Sequence, residues 1–319
     1  MTSSYYPIHE KPGFEADAYA EKIERALRNG EKDTVAKLIV DINNAQRQKV
    51  KEPYRIRYGK ELLQALDKKF SGDAETLILA LMMSPLEYDL EQLEKAMKGL
   101  GTDEAVLIEI ICSRTPDQLK AIAAHYDKKH EKAPLAKTVA GDTSGEFKDL
   151  LVALVTGSKD NGQATNDAQA HDDAVRLFAD GKGKFKGADG SHFLHILATQ
   201  NMYQLRKVFA EFEKLSGQNI ENAIEKEFSG DLRAAYLTIV RASVNKQKFF
   251  ATQLHNSMKG LGTRENDLIR AVVARSEVDL NLIKEEYKQL YGKPLEDHIK
   301  GDTSGVFRDT LLNICAGNL

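Results

Sequence analysis

Met97-Lys-Gly-Leu-Gly-Thr102 recurs unchanged as Met258-Lys-Gly-Leu-Gly-Thr263. Downstream of each copy stands Gly-Asp-Thr-Ser-Gly, at 141–145 and again at 301–305. Between them Cys112-Ser-Arg-Thr matches Ala274-Arg-Ser-Glu. Fainter echoes surround these: Phe70-Ser-Gly-Asp73 and Phe228-Ser-Gly-Asp231 each precede an apolar run. The Ser-Gly pairs at 71–72, 144–145, 229–230 and 304–305 are spaced by 73, 85 and 75 residues. The chain therefore divides into four repeats of about 70 residues, a period longer than that of the common solenoids.

Each repeat has helical patterning. Glu91–Met97, Glu104–Cys112 and Phe147–Val155 carry apolar residues at three- and four-residue spacing, and strand-like alternation bounded by turns is absent. Proline is rare and stands at predicted helix starts such as Pro116. The fold class is all-α. The polar stretch Thr156–Asp172 predicts a connector. The expected segments are a tail at 1–13, repeats at 14–86 and 87–158, a connector at 159–171, and repeats at 172–246 and 247–319.

The charge balance narrows the function. With 45 basic and 48 acidic residues among 319, the net charge is −3, which argues against a nucleic-acid binder and against attraction to acidic lipid by bulk charge. Cys112 and Cys315 lack metal spacing and predict reduced core thiols. Neither a signal-peptide core nor an apolar run of spanning length is found, so cytoplasmic synthesis and peripheral membrane contact are expected.

Gly99 and Gly101 permit a tight loop after a helix that ends near Lys98, and Thr102 is suited to cap the next helix. Such a loop turns backbone carbonyls outward, and carbonyl oxygens are hard ligands for Ca²⁺, which takes about six to eight oxygens. Asp142, 41 residues after Gly101, and Asp302, 40 residues after Gly262, each offer a carboxylate. Three carbonyls and one bidentate carboxylate supply about five ligands and leave about two or three positions for water or a phosphate oxygen. One carboxylate does not neutralise the ion, so an anionic lipid that completes the shell tightens Ca²⁺ binding by linkage. Lys98 and Lys259 are placed for phosphate contacts, and Leu100 and Leu261 for dipping into the interface. The same residues admit a plainer reading, a C-cap followed by an N-cap, with Asp142 as a helix cap. The matched recurrence of both halves favours the Ca²⁺ reading.

On these motifs, from about Ala18 to the C-terminus, the chain resembles the annexins. The resemblance implies four repeats of about five helices each in a curved disc, and Ca²⁺-dependent binding to anionic phospholipid membranes without enzymatic activity. It implies one Ca²⁺ on the carbonyls of Met97, Gly99 and Gly101 with Asp142, and another on Met258, Gly260 and Gly262 with Asp302. Weaker accessory ions would use Thr102 with Glu104, and Thr263 with Glu265. It also implies roles in membrane organisation or trafficking, or in lipase inhibition by surface coverage. A location on the outer cell surface without a signal peptide is compatible with it.

Two repeats depart from the pattern. Repeat one reads Arg28-Asn29-Gly30-Glu31-Lys32, with Lys69 in the place of Asp142, and a protonated lysine cannot ligate Ca²⁺. Repeat three reads Gly183-Lys184-Phe185-Lys186-Gly187, and Glu227 follows Gly187 by 40 residues, the interval from Gly262 to Asp302. It is a candidate third site through the carbonyls of Gly183, Phe185 and Gly187, with Phe185 between Lys184 and Lys186 as an interfacial anchor. That loop lacks the Gly-Lys-Ser/Thr ending of a nucleotide loop, and His192 with His195 are read as ordinary helix residues. Arg114 and Arg275 occupy matching places and predict structural ion pairs; in the family such charges also line a polar channel. Ser3, Ser4, Tyr5 and Tyr6 leave the tail open to a protein partner. Two readings compete with Ca²⁺-dependent membrane binding: a Ca²⁺-independent helical scaffold for protein partners, and a cation-conducting membrane-associated protein.

Overall fold

A computed structural model describes residues 4–99, 101–180, 191–260 and 262–318, without the side chains of 179, 180 and 191. Among the described residues the regular elements are all helices, twenty in number. The first repeat holds α1 (Ala16–Asn29), α2 (Lys32–Val40), α3 (Asn44–Tyr58), α4 (Leu62–Asp67) and α5 (Gly72–Met82). The second holds α6 (Pro85–Ala96), α7 (Glu104–Ser113), α8 (Pro116–Lys129), α9 (Leu135–Asp142) and α10 (Gly145–Val155). The third holds α11 (Asp167–Asp180), α12 (Ser191–Thr199), α13 (Met202–Ser216), α14 (Ile220–Glu227) and α15 (Gly230–Val244). The fourth holds α16 (Lys246–Met258), α17 (Glu265–Arg275), α18 (Leu280–Tyr291), α19 (Leu295–Asp302) and α20 (Gly305–Ala316).

The repeated Ser-Gly pairs have a backbone cause. Each opens the fifth helix of its repeat, with the serine extended and the glycine at φ 61°, 60°, 59° and 60° in turn. That left-handed region disfavours any residue with a Cβ. Pro116 stands at a helix start as predicted, behind a Thr115–Gln118 capping box. The connector is shorter than predicted. Ala170, Ala174 and Leu177 form a buried stripe, so α11 already begins at Asp167.

Helices apolar on every side decide which repeats associate. Val106 to Ser113 of α7 are all buried, and such a helix must be covered all round. Its cover includes α15 of the third repeat, while α17 of the fourth packs on α5 of the first. The chain accordingly forms two units: Asp89–Lys246 is one, and the segments on either side of it together form the other.

Buried ion pairs lie inside each unit. Arg114 donates two bonds of 2.8 Å to the carboxylate of Asp89. Arg275 pairs instead with Asp279 at 2.7 Å, one turn away on its own C-terminal side. Arg47, 1% exposed, donates to Ile39 O at 2.7 Å and to Glu277 at 2.9 Å, which ties the first repeat to the fourth.

The N-terminal segment, predicted as a tail, is docked from Ser4 onward. The backbone N–H of Asn281 donates to Tyr5 O at 3.0 Å, and Ile8 is buried. His9 and Asn318 exchange bonds of 2.8 and 2.7 Å. A Cβ at Gly317 would lie 2.2 Å from the Pro7 carbonyl oxygen, so this crossing requires glycine. Hydrogen bonds of the chain's own backbone and the buried Ile8 hold a segment whose composition alone suggests a free end.

Asp89→Ala removes the carboxylate from a buried guanidinium. It is expected to cost about 3 kcal/mol of unfolding free energy in a urea titration, the loss typical of a broken buried pair.

Candidate functional site

The two Met-Lys-Gly-Leu-Gly-Thr loops link α6 to α7 and α16 to α17. Helical bonding persists just past Ala96, where Met97 N–H donates to Leu93 O at 3.1 Å. The chain then turns at Gly99 and Gly101, with φ of 102° and 99°. In the second copy Gly260 and Gly262 stand at 109° and 90°. Any side chain would strain these positions. One backbone bond closes each loop: Asp103 N–H to Ala96 O at 2.9 Å, and Arg264 N–H to Ser257 O at 2.7 Å. Lys98, Gly99 and Gly101 are exposed, as are Lys259, Gly260 and Gly262; Met97 is half-buried and Met258 buried.

Thr102 does not cap α7. That place belongs to Asp103, whose carboxylate accepts from Val106 N–H at 3.2 Å. The threonine hydroxyl instead donates to the carbonyl of Asp142 at 3.3 Å. Thr263 does the same to Asp302 at 3.1 Å. A single bond type thus brings each glycine loop against the acid 40 or so residues downstream. Nor is Asp142 a helix cap: it is the last residue of α9, and Ser144 occupies the N-cap position of α10 without a side-chain capping bond.

The position of these acids is electrostatically adverse. A helix C-terminus carries partial negative charge, so a carboxylate there costs about 0.3–1 kcal/mol. Asp142, Glu227 and Asp302 each end the fourth helix of their repeat. No basic residue stands in the last turn of α9. One oxygen of Asp142, Oδ2, is buried without a hydrogen-bond partner. Because a buried polar atom normally finds a partner, an unmatched oxygen beside a carbonyl-rich loop fits a cation ligand. Among the described residues no group of three His, Cys, Asp or Glu side chains is placed to hold a metal ion.

Glu104 and Glu265 are the first residues of α7 and α17, both half-buried. Glu265 and Asp302 line a cavity of 440 Å³ together with Lys32, Phe70 and Asp73. Asp73 is a site residue that the sequence reading missed. Burial, then the charge of Glu265, raises its carboxyl above the usual range. The only signal was its place after a Ser-Gly pair. Behind the fourth-repeat loop, His255 stacks on Tyr291 at 3.7 Å, and the Tyr287 hydroxyl meets His298 Nδ1 at 2.7 Å. Burial, His298 and Lys259 lower the His255 pKa, so the ring stays neutral and leaves Lys259 as the adjacent charge.

The first repeat lacks this arrangement. Gly30 ends α1 with bonds to Ala26 and Leu27, α2 follows at Lys32, and Lys69 is exposed. In the third repeat Glu227 is exposed at the expected helix end. Gly183, Lys184, Phe185, Lys186 and Gly187 lie outside the described residues, as do Leu100 and Leu261.

Comparison with known proteins adds an independent line. The chain matches the family described as Annexin over residues 18–81, 88–154, 181–239 and 249–314. It is similar to annexin A13 of Homo sapiens, with 41% identity over 302 residues, 94% of this chain and 95% of that one. The structure of annexin III superposes with a TM-score of 0.93 at 36% identity, covering 99% of both chains. That of calcium-bound annexin (Sm)1 gives 0.86 at 28% identity, covering 98% of this chain and 94% of the other.

Asp142→Asn removes a charge from the adverse end of α9. In chelator it is expected to raise the unfolding free energy by roughly 0.5 kcal/mol. Urea titration beside the wild type checks the sign, and a clear loss would mean that the carboxylate serves the fold.

Proposed function

The chain belongs to the annexin family, and from that premise we propose that it binds anionic phospholipid membranes in a Ca²⁺-dependent way through its second and fourth repeats. Family and fold support Ca²⁺-dependent phospholipid binding in general. The observation that carries the finer reading is the repeated threonine-to-carbonyl bond, 3.3 Å in one copy and 3.1 Å in the other, which holds a positive-φ glycine loop against a helix-end carboxylate.

In this reading the carbonyls of Met97, Gly99 and Gly101 with Asp142 hold one ion. Those of Met258, Gly260 and Gly262 with Asp302 hold the other. Thr102 with Glu104, and Thr263 with Glu265, serve weaker accessory positions. A bound ion supplies the local positive charge that a chain of net charge −3 lacks, and leaves coordination positions for a lipid phosphate oxygen. Lys98 and Lys259, exposed beside the glycines, contact headgroup phosphates. Leu100 and Leu261 enter the interface, and the 183–187 loop with Glu227 adds a third contact. Because the shell is completed by lipid, Ca²⁺ affinity in solution is weak and rises with anionic lipid, by linkage.

Contact of this kind is peripheral: among the described residues no helix is long and apolar enough to cross a membrane. Work at the cytoplasmic face, in membrane organisation or trafficking, follows from reversible attachment, and coverage of a lipid surface accounts for lipase inhibition without an active site. The docked N-terminal segment keeps Tyr5 exposed for a protein partner.

Co-sedimentation with phosphatidylserine vesicles tests this. The protein is expected to pellet in millimolar Ca²⁺ and to return to the supernatant in chelator. The double variant Asp142→Ala, Asp302→Ala is expected to need at least about tenfold more Ca²⁺. Pelleting of that variant at unchanged Ca²⁺ would remove both carboxylates from the site.

A further inference from the structure

The cavity of 440 Å³ beside the fourth-repeat loop is walled by two repeats. Glu265 opens α17 and Asp302 ends α19, both of the fourth repeat, while Asp73 stands in the first turn of α5 in the first. All three lie in the unit formed by the two ends of the chain, where α5 packs on α17 and α20. Asp73 and Asp302 are exposed and Glu265 is half-buried, so a solvent ion can reach them. Among the described residues the wall carries one cation, Lys32. Its ammonium sits 5.9 Å over the Phe70 ring and pairs with none of the three carboxylates. Three acids against one base leave the cavity negative.

An acid in the first turn of a helix has a plain purpose, since it complements the dipole. Glu75 shares that turn of α5 and serves this purpose without lining the cavity. Asp73 differs in what it faces. Gly72, at φ 61°, starts α5 so that Asp73 follows onto the cavity wall. Burial first, and then the charge of Glu265, holds the Asp73 carboxyl above the usual range. The two acids thus oppose each other across the junction of the first and fourth repeats. A dication beside both turns that repulsion into attraction.

Building on the fourth-repeat ion of the proposed function, we propose that Asp73 is a positioning residue supplied by the first repeat: its charge draws Ca²⁺ toward Glu265, and the bound ion in turn fastens α5 to α17. The two halves of this statement are one coupling, because a group that strengthens ion binding is itself held more firmly when the ion is bound. Among the described residues no three such side chains are placed to share one ion. Asp73 therefore acts through its field and not as a further ligand in one shell with Glu265 and Asp302. Salt screens such a field. The first repeat, whose own loop has Lys69 in the place of the acid, keeps in this way a part in Ca²⁺ binding.

The full chain carrying Asp142→Ala serves as parent, without lipid and at low ionic strength. Ca²⁺ is titrated against Tm, and hydrogen exchange of the α5 amides is followed in Ca²⁺ and in chelator. In the parent Ca²⁺ is expected to raise Tm and to slow α5 exchange, and the added change Asp302→Ala to remove the rise. Asp73→Asn is expected to need about three- to tenfold more Ca²⁺ for half the rise and to lose the slowing in α5. Asp73→Glu restores both, and Glu75→Gln leaves both as in the parent. Potassium chloride at about 0.5 M shrinks the difference between parent and Asp73→Asn. A parent without a rise, or with one that survives Asp302→Ala, removes the ion from the fourth-repeat loop and takes the role of Asp73 with it. A parent that behaves as expected beside an Asp73→Asn variant with the same Ca²⁺ requirement overturns the role of Asp73 alone. An equal effect in Glu75→Gln assigns the change to the helix start and overturns it too, and a difference that salt leaves unmoved overturns action through the field.

Discussion

A threonine hydroxyl donating to the carbonyl of a helix-terminal aspartate is the bond around which each glycine loop is arranged. It links Thr102 to Asp142 in one unit and Thr263 to Asp302 in the other. A helix-end carbonyl has no partner within its helix, and the threonine satisfies it from outside. The carboxylate then sits against the negative end of its own helix, and in Asp142 one oxygen is buried and unmatched. In the second unit Asp302 shares the helix-end position, there with Lys300 in the last turn of its helix.

Much of that site was legible as sequence, because its main demands are backbone demands. Glycine at 99, 101, 260 and 262 answers a positive φ that other residues resist. The Ser-Gly pairs that revealed the repeat are likewise a backbone requirement at the start of a helix. The cap was not legible. Thr102 and Asp103 are both good capping residues, and the choice between them turns on a carbonyl 40 residues away in the chain. Asp73 escaped for the same reason, since it reaches the cavity of Glu265 only through the association of first and fourth repeats.

The all-α class follows from three- and four-residue apolar spacing, which speaks for each helix alone; five helices per repeat was what the resemblance implied. What covers an all-round apolar helix is not written in its own residues. α7 and α15, or α5 and α17, meet across long separations in the sequence. The docked N-terminal segment illustrates the other limit. Its composition is that of a free end, and its order comes from Asn281, Asn318 and a glycine at 317 that lets two backbones approach.

The two units differ in how the chain supplies them. One is a single continuous segment, Asp89–Lys246, whereas the other needs residues from before and after it. During synthesis from the N-terminus the continuous unit is complete on the ribosome first, and domains generally fold as they emerge. The first repeat emerges earlier but cannot finish: Arg47 waits for Glu277, and the apolar face of α5 waits for α17. Its exposed helices have to stay soluble while more than half of the chain is still being made. The high charge of α3, with Arg47, Lys49, Lys51, Glu52, Arg55 and Arg57 within fifteen residues, suits a segment that must wait in water for its partner.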